Sequence, residues 1–74
     1  MQIKLLARIY DDKQKECKVN DTINIQTNDM DMPGQAIIKD IKASYFTIIF
    51  DDRLIGYHEK ILRPSDVLML YKIN

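Results

Sequence analysis

The chain holds few of the residue types that most often carry chemistry. Its 74 residues include one cysteine, one histidine and no tryptophan. A single thiol forms no disulfide within the chain, and no cysteine, histidine or acidic residues stand at metal-ligand spacings. The sequence therefore predicts a reducing, cytoplasmic setting, with neither a metal nor another cofactor.

Excess charge of one sign and long apolar runs are also lacking. Eleven basic and eleven acidic side chains balance to a formal net charge of zero. Such a chain lacks the long-range attraction that draws basic domains to nucleic acid or to anionic lipid. Because no apolar run has the length of a signal peptide or a membrane span, no membrane partner is predicted.

The length allows one domain, residues 1–74. A chain of this size buries about 60% of the surface that its unfolded form exposes, which leaves room for one small core. A deep cleft needs more surrounding structure, so we expect no small-molecule substrate.

The clearest structural signal lies between Pro33 and Arg53. Gly34 follows Pro33 and opens a run rich in β-branched residues. A polar break falls at residues 42–44, a second run spans residues 45–50, and two aspartates follow it. Two such runs between turn-forming residues predict a β-hairpin.

The hairpin is predicted to have two unlike faces. A loop of two residues (43–44) or of four (42–45) places Ile41 opposite Phe46 and Ile37 opposite Phe50. The predicted core face then carries Ile37, Ile41, Phe46, Ile48 and Phe50, and the other face carries Ala36, Ile38, Asp40, Tyr45, Thr47 and Ile49. Because Lys39 falls on the core face, we expect the strand to bulge there or to lie at a sheet edge.

The rest of the chain predicts further short strands and no helix of normal length. Residues 3–10 and 22–27 alternate between apolar and polar side chains, which is typical of half-buried strands. Residues 11–18 are polar except for Cys17 and predict an exposed loop or a mobile hairpin arm, in which Cys17 is the one ambiguous member. Residues 54–58 predict a brief strand, residues 63–66 a single helical turn, and residues 67–73 a closing strand that is buried on both faces or central.

This layout resembles the small Src-homology-3-like barrel in its KOW and Tudor branches. The resemblance rests on residues 33–41 and 45–52, roughly twenty residues in which a glycine precedes an alternating strand and the returning strand is aromatic and β-branched. It implies an all-β barrel of five to six short antiparallel strands with a single helical turn before the last strand. The tryptophan of the proline-rich-ligand groove is absent from this chain, and a shared fold assigns no function.

Catalytic groups are sparse, and each has a simpler structural explanation. His58 stands beside Glu59, but adjacent strand residues point to opposite faces, so a solvated histidine is favoured. Cys17 lies between Glu16 and Lys18 without a glycine-rich turn that would build an oxyanion site. The sequence predicts no catalytic residue and no enzyme.

Paired aspartates raise the question of a divalent cation. They occur at residues 11–12 and 51–52, with a further pair at residues 29 and 31. The acidic residues between residues 28 and 34 do not have the spacing of an EF-hand loop. Turn-forming aspartates at strand ends explain all three sites. No metal site is predicted.

Two candidate binding surfaces remain. The first is the outer face of the hairpin, predicted to dock a protein partner or a second copy of the chain through Ile38, Tyr45, Thr47, Ile49, Met30 and Met32. A second sheet covering this face is the open alternative. The second surface would bind nucleic acid through Lys39, Lys42, Arg53, Tyr57, Lys60 and Arg63.

The basic residues lie among acids, so interspersed solvated charge is favoured over a nucleic-acid site. The leading hypothesis is therefore a non-catalytic protein-interaction module. A nucleic-acid-binding small barrel is one alternative, and an accessory or inhibitor protein from a phage or mobile element is another.

Overall fold

Short antiparallel strands form nearly all of the regular structure. The computed structural model describes residues 8–52 and 56–73, and the side chains of all of these except residues 51, 52, 56 and 57. The elements are β1 (Ile9–Tyr10), β2 (Glu16–Cys17), β3 (Thr22–Thr27), β4 (Gly34–Ile41), β5 (Phe46–Asp52), β6 (Gly56–Leu62), a 3₁₀ turn (Pro64–Asp66) and β7 (Val67–Lys72). The predicted all-β class and the single helical turn before the last strand are confirmed.

The strand boundaries match the sequence patterns at several points and differ at others. Residues 22–27 form β3 as predicted, whereas the start of the predicted strand at residues 3–7 lies outside the described residues. The predicted brief strand at residues 54–58 is instead the longer β6, which begins at Gly56 and continues to Leu62. Asn20 adopts φ 77° in the turn that precedes β3, a left-handed conformation that asparagine accommodates better than most residues.

Five strands form one antiparallel sheet in the order β6-β5-β4-β3-β7, and β1 pairs with β2 separately. The last strand returns to the first strand of the sheet and places Leu70 opposite Ile25. β7 is therefore an edge strand, and Leu68 on it is 63% exposed. The prediction of a central or doubly buried closing strand is wrong, because apolar residues alone do not fix a strand's place in a sheet.

The sheet is strongly curled. Its two edges, β6 and β7, would lie about 19 Å apart in a flat sheet, at about 4.8 Å per strand spacing. Only residues 63–66 connect them, and three of these form the 3₁₀ turn, which rises about 2 Å per residue. The edges must therefore approach each other, and Lys60 of β6 forms an ion pair with Asp29, which follows β3, the neighbour of β7.

This curvature agrees with a small barrel, yet no ladder joins β6 to β7 among the residues that the structure describes. The Src-homology-3-like resemblance remains a prediction.

A bulge at Lys39 decides which side chains of β4 are buried. Near the hairpin tip Ile41 lies opposite Phe46, as predicted, but Ile38 lies opposite Ile48, so Lys39 is one extra residue on β4. Every β4 side chain before Lys39 therefore lies on the face opposite to the one that regular alternation predicts. Ile38 is fully buried and Ile37 is 42% exposed, which reverses the prediction for both residues.

The core lies on the concave face of the sheet and under β2. It consists of Cys17, Ile23, Ile25, Ala36, Ile38, Phe46, Ile48, Leu62 and Leu70, with Ile9, Ile41, Phe50 and Val67 packed against it. Cys17 is 1% exposed and behaves as a small apolar residue. Of the two alternatives predicted for residues 11–18, the structure forms a hairpin, in which Cys17, left ambiguous by the sequence, is buried.

Asp11 and Asp12 attach the β1–β2 hairpin to the free edge of β7. Asp11 is 3% exposed and accepts the N–H groups of Lys13 and Lys15 on one oxygen, and that of Lys72 at 2.9 Å on the other. Asp12 donates its N–H to the carbonyl of Leu70 at 2.9 Å and accepts the N–H of Leu70 at 3.2 Å on its carboxylate. The two aspartates thus satisfy the edge of β7 much as another strand would.

The buried carboxylate of Asp11 is stabilised in its charged form. The N–H of Lys72 contributes most, and with the N–H of Lys15 it holds the pKa of Asp11 below its usual range. The aspartate pair at residues 11–12 lies at the β1–β2 turn, as predicted, and it is also a long-range anchor to β7.

Candidate protein-interaction surface

The outer face of the sheet carries an apolar patch that spans β4, β5 and β6. We define the outer patch by its four residues: Ile37, Thr47, Ile49 and Ile61. Ile37 lies opposite Ile49, and Thr47 lies opposite Ile61, so all four side chains share one face. Ile37 is 42% exposed and Ile61 is 67% exposed, whereas Thr47 is 9% exposed. The two isoleucines therefore offer most of the accessible apolar surface of the patch.

The sequence alone identified half of this patch. Thr47 and Ile49 were placed on the outer face, and both lie there. Ile37 was missed because the bulge reverses its direction. Ile61 was missed because it precedes another apolar residue, Leu62, and so breaks the alternation that marks a half-buried strand.

An ion pair between Lys39 and Glu59 crosses the outer face of β5. Glu59 lies opposite Ile49 and so points outward, while Lys39 reaches it from the bulge on the far side of β5. Both side chains are 50% exposed. Because an exposed pair contributes about 0–1 kcal/mol, a partner can displace it at little cost.

A shallow hollow lies beside this ion pair. Its walls come from Ile37, Ile49, His58 and Glu59. The ring of His58 lies 5.9 Å from that of Phe50, centroid to centroid, and the histidine is solvent-exposed as predicted. The hollow combines apolar walls with the carboxylate of Glu59 at its rim, which suits a projecting apolar side chain.

The remaining predicted partner-binding residues do not form one surface. Ile38 is fully buried in the core, so its assignment to the outer face is wrong. Tyr45 is 39% exposed near the hairpin tip, and Met32 is 70% exposed in the loop that precedes β4. The eight residues of β4 separate that loop from the tip by about 23 Å at about 3.3 Å per residue, too far for Met32 and Tyr45 to touch one side chain.

Met30 is part of the framework rather than of the outer patch. Its N–H binds the carbonyl of Thr27 at 3.0 Å, and its sulfur accepts the N–H of Thr27 at 3.5 Å. A Cβ on Gly34 would lie 3.3 Å from the terminal carbon of Met30 and 3.4 Å from the ring of Phe50. Gly34 thus allows Met30 and Phe50 to pack closely over the start of β4.

The lysines proposed to bind nucleic acid are each paired with an acid. Besides Lys39 with Glu59, Lys42 lies 3.3 Å from Asp40. Lys60 pairs with Asp29, and this contact is the largest cause of the lowered pKa of Asp29.

These basic residues also point in different directions. Lys60 lies opposite Ile48 on the concave face, whereas Lys39 reaches over the outer face. Arg63 is exposed beside the 3₁₀ turn, while Arg53 and the side chain of Tyr57 lie outside the described residues. The described residues therefore form interspersed charge rather than a basic stripe.

The metal-ligating and nucleophilic side chains among the described residues are dispersed or buried. No group of three or more histidine, cysteine or acidic side chains is placed to hold a metal ion within residues 8–52 and 56–73. Burial, and next the nearby Asp11, raise the pKa of the Cys17 thiol, which opposes formation of the nucleophilic thiolate. None of the helical structure in that part of the chain has the length and apolar character to span a membrane.

Comparison with known proteins returns no relative. No protein-family model, curated protein or solved structure matches the chain. The geometry of the all-β fold and its outer patch therefore carries the functional argument.

Proposed function

We propose that this protein is a non-catalytic interaction module that docks on a partner protein through the outer patch. The observation that carries the proposal is the exposure of Ile37 on β4, opposite Ile49, and of Ile61 on β6, opposite Thr47. Contiguous apolar surface on a small domain is typical of a partner site. The Lys39–Glu59 ion pair beside the patch supplies a polar rim.

The size of the patch limits the binding free energy that it contributes. Ile37 and Ile61 together expose slightly more surface than one whole isoleucine side chain, so burying both contributes about 1.5–3 kcal/mol. Micromolar affinity requires about 8 kcal/mol. We therefore expect the partner to cover neighbouring strand and loop surface as well, with the outer patch as the centre of the contact.

The experiment compares captured proteins between variants in lysate from the source cell. Ile37→Asp and Ile61→Asp should each abolish capture of a partner that binds the wild type, because either places a carboxylate within an apolar contact. Val19→Asp is the matched control, since Val19 is 45% exposed and lies outside the outer patch. Far-ultraviolet circular dichroism checks that each variant is folded.

Two results would contradict the proposal. Capture of the same protein by the wild type and by both isoleucine variants would show that the outer patch is not the docking surface. Unfolding of Ile37→Asp would show that Ile37 belongs to the core. The hypothesis of an accessory protein from a phage or mobile element stays a prediction, and the identity of a captured partner tests it.

A further inference from the structure

The turn of the β1–β2 hairpin crosses the edge of β7 without joining the core. We define the strap as residues 10–16. Ile9, just before the strap, packs against the core, and Cys17, just after it, is 1% exposed. Within the strap Asp11 alone is buried, and residues 12–15 are exposed. Two core residues thus hold the ends of a segment that itself buries almost no apolar surface.

Polar contacts hold the strap on β7. The N–H of Lys72 binds the carboxylate of Asp11 at 2.9 Å, and the N–H of Leu70 binds that of Asp12 at 3.2 Å. The N–H of Asp12 binds the carbonyl of Leu70 at 2.9 Å, and the ammonium of Lys72 lies 3.3 Å from the carbonyl of Glu16. Because each group regains a hydrogen bond to water when the strap moves away, breaking these contacts costs less than exposing the core.

A hollow separates part of the strap from the sheet. Its volume is about 280 Å³, and its walls include Tyr10 and Asp12 of the strap and Phe46, Val67 and Leu70 of the sheet. Protein interiors are close-packed, so a gap of this size removes van der Waals contacts that would otherwise hold the strap. The polar contacts to β7 are therefore its main attachment.

Hydrogen bonds within the strap preserve its shape when those to β7 break. One carboxylate oxygen of Asp11 accepts the N–H groups of Lys13 and Lys15, both at 2.8 Å. The N–H of Asp11 binds the carbonyl of Lys15, and the N–H of Gln14 binds the carbonyl of Asp11, both at 2.9 Å. None of these four bonds crosses to β7, so the strap has the internal structure of a single cooperative unit.

We propose that the strap opens and closes over the edge of β7 as one unit, while Ile9, Cys17 and the five-stranded sheet stay in place. In the closed state the edge groups of Leu70 and Lys72 are occupied by the strap, and in the open state they are free to pair with an extended chain. The strap therefore controls access to this edge. The inference goes beyond docking at the outer patch, since β7 carries none of the residues of that patch.

Hydrogen exchange of three neighbouring amides tests the strap in wild-type protein. Leu70 and Lys72 direct their N–H groups to the strap, so by strand alternation Tyr71 directs its N–H to Asn24 in β3. Opening of the strap exposes the first two amides and leaves the third protected. The protection factors of Leu70 and Lys72 should therefore be similar and should lie about tenfold or more below that of Tyr71.

Asp12→Ala tests whether the strap moves as one unit. The variant removes the carboxylate that binds Leu70 and keeps Asp11, so independent contacts would change the exchange of Leu70 alone. If the strap is one unit, the exchange of Lys72 should also accelerate, about tenfold, because the closed state has lost a charge-assisted hydrogen bond.

Phe50→Leu is the control for unfolding of the whole sheet. Phe50 lies four residues along β5 from Phe46, about 13 Å from the wall of the hollow at about 3.3 Å per residue. The control should accelerate exchange at Tyr71, which requires the sheet to unfold, and leave Leu70 and Lys72 unchanged.

Three results would overturn the proposal. Equal protection of Leu70, Tyr71 and Lys72 in the wild type would show that the strap does not open by itself. Unchanged exchange of Lys72 in Asp12→Ala would show that the two aspartates act separately. Equal acceleration of Leu70 and Tyr71 in Phe50→Leu would show that both amides exchange only through unfolding of the sheet.

Discussion

Replacing Ile38 by alanine is expected to cost much more stability than the same replacement at Ile37. Ile38 is fully buried and faces the equally buried Ile48 across the β4–β5 pair. Removing a buried isoleucine to alanine costs about 2–5 kcal/mol, since it loses the transfer free energy and leaves a cavity. Ile37 is 42% exposed, so its truncation should cost about 1 kcal/mol, mainly through lost strand propensity and partial burial.

The expected difference in stability is large relative to the free energy of unfolding of the whole protein. A chain of 74 residues has a free energy of unfolding of roughly 4–11 kcal/mol at about 0.05–0.15 kcal/mol per residue. Ile38→Ala therefore removes a large share of that free energy of unfolding. Ile37→Ala should remain fully folded.

Urea unfolding followed by far-ultraviolet circular dichroism measures the difference, since the chain has no tryptophan for fluorescence. Both variants should shift the midpoint at an unchanged slope, which marks a change of stability rather than of the surface exposed. If Ile37→Ala were the more damaging variant, the strand would be unbulged. The faces would then be those that regular alternation predicts, with Ile37 in the core and no extra residue at Lys39.

Two further predictions concern the β1–β2 hairpin. The pKa of Asp11 is lowered on folding, mainly by the N–H of Lys72, so its contribution to stability is present above the ordinary carboxylate pKa of 3.8 and is lost as the pH falls through the lower folded value. Asp11→Asn should lower the urea midpoint at neutral pH, and below about pH 4 the midpoint of the variant should decrease less with falling pH than that of the wild type. The same decrease in wild type and variant would contradict this role of Asp11. Cys17, at 1% exposed with a raised pKa, should react with an aromatic disulfide reagent far more slowly in native protein than in urea. Equal rates in both conditions would show that the thiol is accessible.

Much of the fold follows from short-range patterns. Pro33 and Gly34 mark the start of the central hairpin, and the polar residues 42–44 mark its tip. Alternation locates β3, and the proline at residue 64 locates the 3₁₀ turn. These features depend on backbone preferences within a few residues, so the sequence contains the information directly.

Long-range contacts were not predictable in the same way. The carboxylates of Asp11 and Asp12 bind backbone groups of Lys72 and Leu70, about sixty residues further along the chain. Aspartates at a strand end favour a turn on local grounds, and only the approach of β7 supplies the second set of donors. The buried position of Cys17 depends on the same docking.

The central hairpin shows which features follow from the local sequence and which depend on long-range contacts. The sequence by itself determined that two strands meet at a tip, that Ile41 faces Phe46, and that Lys39 does not fit a regular core face. Only the tertiary structure decided that Lys39 is bulged out, because the backbone of Ile38 is held by Asn20 and Asp21 on the other side of β4. One extra residue reverses the direction of every side chain before it, so Ile38 lies in the core and Ile37 on the surface proposed to bind a partner.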